Sequence, residues 1–277
     1  MPGVSLALAT IIVLSGVAAG GVGALLGIGG GVFLVPLLHV ALGFPLRTAA
    51  AVSLTTVIAT SSSVSAGRSG ERLINLRLGM VLEVATVAGS LLGGLTAHLF
   101  SETTLQRLFG AVMVVGALAV LARVNRRNVV RDPSLDPGLL GGRYDEEESG
   151  GTVVYRVKRL PIGLLASFVA GNVSSLLGIG GGVLKVPALN AWCGIPLRAA
   201  AATSAFMIGV TATGGAIIYL GRGDLPPLLA APAVLGVQLG SWVGLRLAHR
   251  LPAKWLKIML VAVLLLVAAS MFARSAR

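Results

Sequence analysis

Charged residues are scarce in this chain. Asp, Glu, Lys and Arg make up 12% of its 277 residues, whereas a soluble globular domain carries roughly 25%. So few charges cannot cover a water-exposed surface, and the hydrophobic share of 55% implies that most of the surface faces lipid. The long uncharged runs exclude the short alternating segments of a β-barrel. The composition therefore predicts an all-α polytopic membrane protein.

Cysteine and histidine are also rare. A single cysteine, Cys193, excludes an internal disulfide and a cysteine-based metal cluster. The three histidines lie far apart and lack paired-ligand spacing, and no pairing of a nucleophile with a base is evident. We therefore expect no metal, no cofactor and no enzymatic activity. The net charge of +12 does not indicate nucleic acid, because the basic residues lie between apolar runs, where they set membrane orientation.

The apolar runs fall into two groups of five. A membrane-spanning helix needs about 20 mostly apolar residues. The runs of the first half are 4–26, 32–42, 48–66, 78–99 and 105–121, and those of the second are 162–177, 183–193, 199–220, 225–248 and 256–272. The hydrophilic stretch between them contains prolines, glycines and an acidic run, which predicts a solvated, flexible linker. The predicted organisation is a first repeat over 1–124, a cytoplasmic linker over 125–158 and a second repeat over 159–277.

The two halves are an internal duplication. Residues 25–32 and 176–183 are identical, and the same offset of 151 residues pairs Pro36 with Pro187 and Ser53 with Ser204. Such repeats are typical of secondary transporters, which bind substrate near the bilayer midplane between the repeats, at interrupted helices. The duplicated glycine-rich breaks mark that place.

The number of crossings in each half decides whether the repeats are inverted. Five crossings per half give inverted repeats, whereas re-entrant helices at 32–42 and 183–193 give four. The distribution of basic residues favours inverted repeats, and either arrangement places the linker in the cytoplasm.

The glycine-rich breaks predict an anion site. Consecutive glycines weaken a helix and leave backbone N–H groups free at the start of the next one, where the helix dipole also attracts anions. A P-loop would require a following Gly-Lys-Ser/Thr, and a dinucleotide site would require a preceding strand. The alternative is that the glycines only permit close packing and a tight turn. The candidate backbone donors are Gly29, Gly30, Gly31, Gly180, Gly181 and Gly182.

The duplicated pattern L-G-x-G-G-G-x-x-x-V-P-x-L begins at Leu26 and at Leu177. Together with Ala-Ala-Ala-Thr-Ser at 200–204 and Gly-Ser-x-x-Gly at 240–244, it resembles the TauE/SafE sulfite exporter family over the whole chain except the linker. The resemblance implies a multi-pass permease of the cell inner membrane for sulfite, organosulfonates or related small anions. Most members are assigned as exporters, and proton coupling is commonly supposed.

Four polar residues inside the apolar runs are candidates for the site. Lys185 follows the second break, where a charge is costly and therefore predicts function, unless the side chain reaches the interface. Glu83 would pair with Lys185 or relay a proton, or else lie near the headgroups. His39 and its repeat counterpart Asn190 can donate to an oxyanion, and His39 can also bind a proton; their alternative role is helix packing.

Hydroxyl groups on the third segment of each half are further candidates. Ser53 and Ser204 occupy equivalent positions, whereas the counterpart of Thr203 is Val52, so the Thr-Ser pair occurs once. These hydroxyls would line the substrate path, or would only bond to carbonyls of their own helix.

The sequence thus predicts a secondary transporter, acting as an exporter of small sulfur-containing oxyanions by alternating access at the repeat interface. Its partners would be the anion, the lipid bilayer and a coupling proton. The alternative is a passive anion channel, or a permease for another small organic anion.

Overall fold

A computed structural model describes residues 6–26, 30–68, 73–121, 136–146, 151–248 and 253–276. These residues form ten helices, five in each half, with a two-stranded hairpin between the halves. The first five are α1 (Leu6–Leu26), α2 (Gly31–Pro36), α3 (Leu46–Arg68), α4 (Leu76–Thr96) and α5 (Glu102–Leu121). The last five are α6 (Leu160–Leu177), α7 (Gly182–Trp192), α8 (Leu197–Gly221), α9 (Pro227–Ala248) and α10 (Ala253–Ser275). A π-helical turn, Leu37–Ala41, continues α2, and a 3₁₀ turn, Ala97–Leu99, extends α4.

Seven of these helices are long and apolar enough to cross a membrane, namely α1, α4, α5, α6, α8, α9 and α10. The prediction of an all-α polytopic membrane protein is confirmed. Helix α3 has the length, but its hydroxyl-rich sequence lowers its hydropathy. Most of its side chains, including Ser53, Thr56 and Thr60, are buried against other helices. Such a helix does not need an apolar surface, because little of it meets lipid.

The helices of the two halves pair with each other. Helix α1 packs on α9, and α6, the counterpart of α1, packs on α4, the counterpart of α9. Helices α3 and α8 pack together, as do α5 and α10. Each of these interfaces therefore combines the two repeats, and neither half forms a separate bundle.

Glycines bring the backbones of these pairs together. A Cβ atom at Gly89 of α4 would overlap the carbonyl oxygen of Phe168 in α6, and one at Gly93 would overlap that of Asn172. Small residues allow such close approach between membrane helices. The same arrangement joins α9 to α1 through Gly236, Gly240 and Gly244.

The stretch between the repeats is more ordered than the sequence predicts. Strands β1 (Gly142–Glu146) and β2 (Gly151–Tyr155) pair antiparallel. Tyr144, Val153 and Tyr155 are buried in an apolar cluster with residues of α4, α7 and α8. The prediction of a solvated, flexible linker is wrong for these residues, because apolar side chains of both strands pack on the helix ends. Residues 125–135 and 147–150 lie outside the described ranges.

Asn75 fastens this hairpin to the start of α4. Its side-chain Nδ2 donates to the Leu140 carbonyl at 2.8 Å and to the Tyr155 hydroxyl at 3.1 Å, while its Oδ1 accepts from the Leu78 amide and caps the helix. Burial raises the pKa of Tyr155, and the hydrogen bond from Asn75 lowers it by less. The hydroxyl therefore remains neutral around neutral pH, so the clamp is independent of its titration.

Candidate functional site

The glycine breaks of the two repeats meet beside α3. The Ser53 hydroxyl donates to the Gly178 carbonyl at 2.6 Å. A Cβ atom at Gly31 would lie 2.6 Å from that carbonyl oxygen and 2.6 Å from Ser53 Oγ. Gly180 in turn faces Val57 of α3. The structure therefore brings Gly31, Ser53 and the second break together, whereas Gly29 lies outside the described residues.

The two breaks have the same sequence but different backbones. Gly30, which precedes α2, has φ −69° and is right-handed, whereas its counterpart Gly181, which precedes α7, has φ +72°. Gly178 and Gly180 also have positive φ. Glycine adopts this conformation without the steric cost of a Cβ atom. Equivalent glycines, Gly30 and Gly181, thus take different backbone conformations in the two repeats.

The start of α7 presents unpaired donors. Its N-cap is Gly181, and no side-chain cap is formed there. The Leu184 N–H donates to the Gly181 carbonyl at 3.3 Å, which leaves the N–H groups of Gly182 and Val183 without an intrahelical acceptor, and the helix dipole is positive at this end. The Lys185 amide closes the first turn by donating to the Gly181 carbonyl at 3.0 Å. Because helical side chains lean toward the N-terminus, the Lys185 stem tilts in the direction of these donors.

Lys185 is enclosed by protein. It is 1% exposed, and its Nζ has no hydrogen-bond acceptor among the described residues. Its charged partner is Glu83 of α4, whose Oε2 lies 3.9 Å from Nζ. Of the alternatives for Lys185, a lysine that reaches the headgroups does not fit so buried a side chain. Of the alternatives for Glu83, pairing with Lys185 is confirmed.

Two threonine hydroxyls lie beside the Glu83 carboxylate, and each is also within hydrogen-bond distance of a carbonyl of its own helix. The Thr211 hydroxyl of α8 donates to Oε1 at 2.7 Å, and the Thr86 hydroxyl, one turn further along α4, lies 3.4 Å from Oε2. Glu83 and Thr86 belong to the first repeat, whereas Lys185 and Thr211 belong to the second. The polar cluster therefore joins the repeats.

Several buried hydroxyl groups on α6 and α8, the helices that pack on α7, have no hydrogen-bond partner in the described part of the chain. Buried hydroxyls in proteins normally have a hydrogen-bond partner. These unpaired groups are therefore available to bind a polar ligand. Those on α6 are Ser167, Ser174 and Ser175, and the one on α8 is Ser204. Ser204 differs in this respect from its counterpart Ser53, whose hydroxyl is bound to the second break.

His39 and Asn190 perform the same local task in the two repeats. Nδ1 of His39 lies 2.8 Å from the Phe44 carbonyl, and Asn190 Nδ2 donates to the carbonyl of the equivalent Ile195 at 2.7 Å. Each side chain thereby ties the end of a short helix to the loop that follows. Because Nδ1 faces an acceptor, it carries the proton, and Nε2 can accept from the Gln106 amide at 2.8 Å.

His39 borders a cleft of about 430 Å³ at the end of the π-helical turn. The cleft includes Glu102, which caps α3 by accepting from the Leu46 amide at 2.8 Å, and Arg274 at the end of α10. At the equivalent loop of the second repeat, Lys158 of the linker donates its backbone N–H to the Cys193 carbonyl. The linker therefore covers one loop, whereas its counterpart borders a cleft.

Thr203 serves the packing of α4. Its hydroxyl accepts from the Asn75 amide at 3.0 Å, and its methyl group faces Gly79. At the offset of 151 residues the counterpart of Asn75 is Pro226, which has no N–H group to donate, and the counterpart of Thr203 is Val52, which has no hydroxyl. The structure gives Thr203 a partner outside the Glu83–Lys185 pair.

Residues 12–271 match the profile of the family described as Sulfite exporter TauE/SafE. The chain belongs to this family. The resemblance carried by the duplicated glycine motif is confirmed, and the match extends over nearly the whole chain. Family membership and seven candidate spans together show a multi-pass membrane transporter.

Individual relatives have similar descriptions, and two of them match over nearly their full length. The chain is 26% identical over 264 residues to "Probable membrane transporter protein YunE" of Bacillus subtilis, covering 93% of this chain and 94% of that protein. It is 25% identical over 279 residues to "Probable membrane transporter protein MJ0441" of Methanocaldococcus jannaschii, covering 94% and 93%. "Sulfite exporter TauE/SafE family protein 5" of Arabidopsis thaliana is 35% identical over 108 residues, which are 35% of this chain and 22% of that protein. No solved structure matches the chain.

Sequence reasoning missed several polar residues of this TauE/SafE chain. Thr86 was detectable, because it lies one helical turn after Glu83 on the same face. Gln106 was also detectable as an amide at the start of the run 105–121, and the structure buries it. Thr211 and Ser167 carry no such signal, since their roles depend on which helices pack together.

Proposed function

We propose that this TauE/SafE transporter carries a small sulfur oxyanion, such as sulfite or an organosulfonate, and binds it at the start of α7. The supporting observation is the Lys185 ammonium group, which is buried and has no hydrogen-bond acceptor among the described residues. A buried charge in a membrane protein is costly and marks a substrate or ion pathway.

An oxyanion beside Lys185 would find several kinds of donor. The ammonium group offers three N–H bonds, and the first turn of α7 offers backbone N–H groups at the positive end of its dipole. The hydroxyls of Ser174 and Ser204 are buried and unpaired within the described ranges. A sulfur oxyanion has three or four oxygens in a compact shape, which suits donors arriving from several helices.

Alternating access is the transport mechanism that we propose. Two observations support it: the glycine breaks touch at the repeat interface, and the equivalent residues Gly30 and Gly181 take different backbone conformations. Exchange of these shapes between the repeats would close one side of the site and open the other. We further propose that the protein lies in the cell inner membrane with its linker in the cytoplasm and exports its substrate, with a proton as coupling ion.

Flux measurements in liposomes test this proposal. Purified protein would be reconstituted, and the flux of sulfite, sulfoacetate, sulfate and acetate would be followed with and without a pH gradient. We expect saturable flux of a sulfur oxyanion and acceleration by the same anion on the opposite side. A passive channel would show neither property.

Lys185→Leu is the decisive variant, because the equivalent residue of the first repeat is Leu34, which is fully buried. We expect flux to fall roughly a hundredfold, as for loss of a charged hydrogen-bond partner in a buried site. Thr213→Ala, on an exposed position of α8, is the matched control. Undiminished flux in folded Lys185→Leu would refute the site, and absence of flux for all anions in folded wild type would refute the substrate class.

A further inference from the structure

The ion pair between Glu83 and Lys185 occurs in one half of the molecule only. Helices α4, α6, α7 and α8 surround it, and the equivalent group is α9, α1, α2 and α3. In that second group the two positions are Val234 and Leu34. The equivalent helices pack in the same pairs with apolar residues at these two positions, so this packing does not require charges.

The geometry of the pair is that of a counter-ion and not of a tight structural salt bridge. The Nζ–Oε2 distance is 3.9 Å, and Nζ makes no hydrogen bond within the described residues. Glu83 instead takes its short hydrogen bond from Thr211. The carboxylate therefore neutralises Lys185 without occupying its donors.

We propose that Glu83 determines the charge of the anion that the Lys185 site accepts, so that monovalent anions are preferred over divalent ones. This inference rests on the proposed function. With Glu83 ionised, the pair has no net charge, and a monoanion adds one uncompensated charge whereas a dianion adds two. A dianion also loses more hydration on entry, and Glu83 repels it more strongly.

Protonation of Glu83 would relax this selectivity. The hydroxyls of Thr86 and Thr211 can donate to a carboxylate and accept from a carboxylic acid, so both states of Glu83 retain partners. Glu83 forms its salt bridge with Lys185. The other described charged or titratable groups of the helices around it lie toward the helix ends. These groups are Arg77 on α4, Arg159 at the start of α6, Cys193 at the end of α7, Arg198 and Tyr219 on α8, and Arg222 just after α8.

Methanesulfonate and sulfate provide the test. Both are tetrahedral sulfur oxyanions, but one carries a single negative charge and the other carries two over the whole range from about pH 6 to pH 8. Their fluxes would be measured in liposomes containing the full chain. We expect wild type to prefer methanesulfonate, and Glu83→Gln to raise the ratio of sulfate to methanesulfonate flux roughly tenfold or more, because it removes a like charge from a buried site.

Acidification supplies a second test that needs no variant. Lowering the pH should raise the same ratio in wild type and leave it constant in Glu83→Gln. Glu102→Gln, which alters a carboxylate near the other loop, is the control and should keep the wild-type ratio. A ratio unchanged by both Glu83→Gln and acidification, with methanesulfonate still transported, would overturn this inference alone. Absence of flux for both anions in folded protein would overturn the proposed function as well.

Discussion

At the scale of single residues, the fold tolerates the charges of Glu83 and Lys185 only as a pair. Removing one partner leaves the other as an uncompensated buried charge, so we expect Glu83→Val or Lys185→Leu alone to lower the free energy of unfolding by about 3–5 kcal/mol. The double variant reproduces Val234 and Leu34 of the other half and should recover most of this loss. Unfolding in mixed detergent would measure all three. Additive losses would contradict the pairing.

His39 gives a second prediction at this scale. Because Asn190 makes the equivalent bond in the other repeat, His39→Asn should preserve the tie to the Phe44 carbonyl. We expect this variant to keep flux within roughly threefold of wild type, whereas His39→Ala loses the hydrogen bond and about 1 kcal/mol of stability. Flux and thermal unfolding of both variants would be compared. A loss of pH-dependent flux in folded His39→Asn would instead show that the imidazole carries the coupling proton.

At the scale of elements, the two glycine breaks differ in their tolerance of a side chain. Gly181→Ala would place a Cβ atom on a left-handed residue, whereas at the right-handed Gly30 a Cβ atom would lie 3.2 Å from a Val237 side-chain methyl group, which a small shift of that side chain relieves. If the breaks exchange shapes during transport, Gly30→Ala folds normally but slows the cycle. A left-handed alanine costs about 1–2 kcal/mol, so flux should fall roughly 5- to 30-fold. Wild-type flux in Gly30→Ala would show that the first break keeps its shape.

The hairpin supplies another prediction for an element. Cys193 is buried in the cluster beneath Tyr144 and Tyr155, and it is the sole cysteine of the chain. Asn75→Ala removes the clamp and should increase the rate of maleimide labelling of Cys193 severalfold. The increase should appear with a membrane-impermeant reagent added to the linker side. Equal labelling of both proteins, each folded, would mean that Asn75 does not hold the hairpin in place.

The positions of the helices could be predicted because each apolar run is one helix. The hairpin could not be predicted, because the stretch around it is mostly hydrophilic. Its one signal in the sequence was the run from Thr152 to Tyr155, which is rich in β-branched residues. For the candidate site, the cost of burying Lys185 was readable from the sequence. The partner of Lys185 could not be decided from the sequence, because its pairing with Glu83 requires α4 and α7 to pack on the same two helices, α6 and α8. Likewise, the hydrogen bonds of His39 depend on the shape of its loop.

At the scale of the whole molecule, the topology has a simple test. Five crossings in each half would place the C-terminus opposite the cytoplasmic linker, whereas four would place both on the same side. We expect a reporter enzyme fused after Arg277 to be active outside, because the basic residues favour inverted repeats. A second reporter inserted in the linker provides the control and should be active inside. Two reporters on the same side would indicate re-entrant short helices.

The pairing of helices across the repeats also determines the order of assembly in time. The ribosome makes α4 before α6, and α1 long before α9. Until the later partners enter the bilayer, the glycine faces of the earlier helices meet only lipid, which cannot fit closely against them. Most interhelical packing must therefore form late in synthesis, and a substitution at Gly240 in α9 would release α1, which is made much earlier.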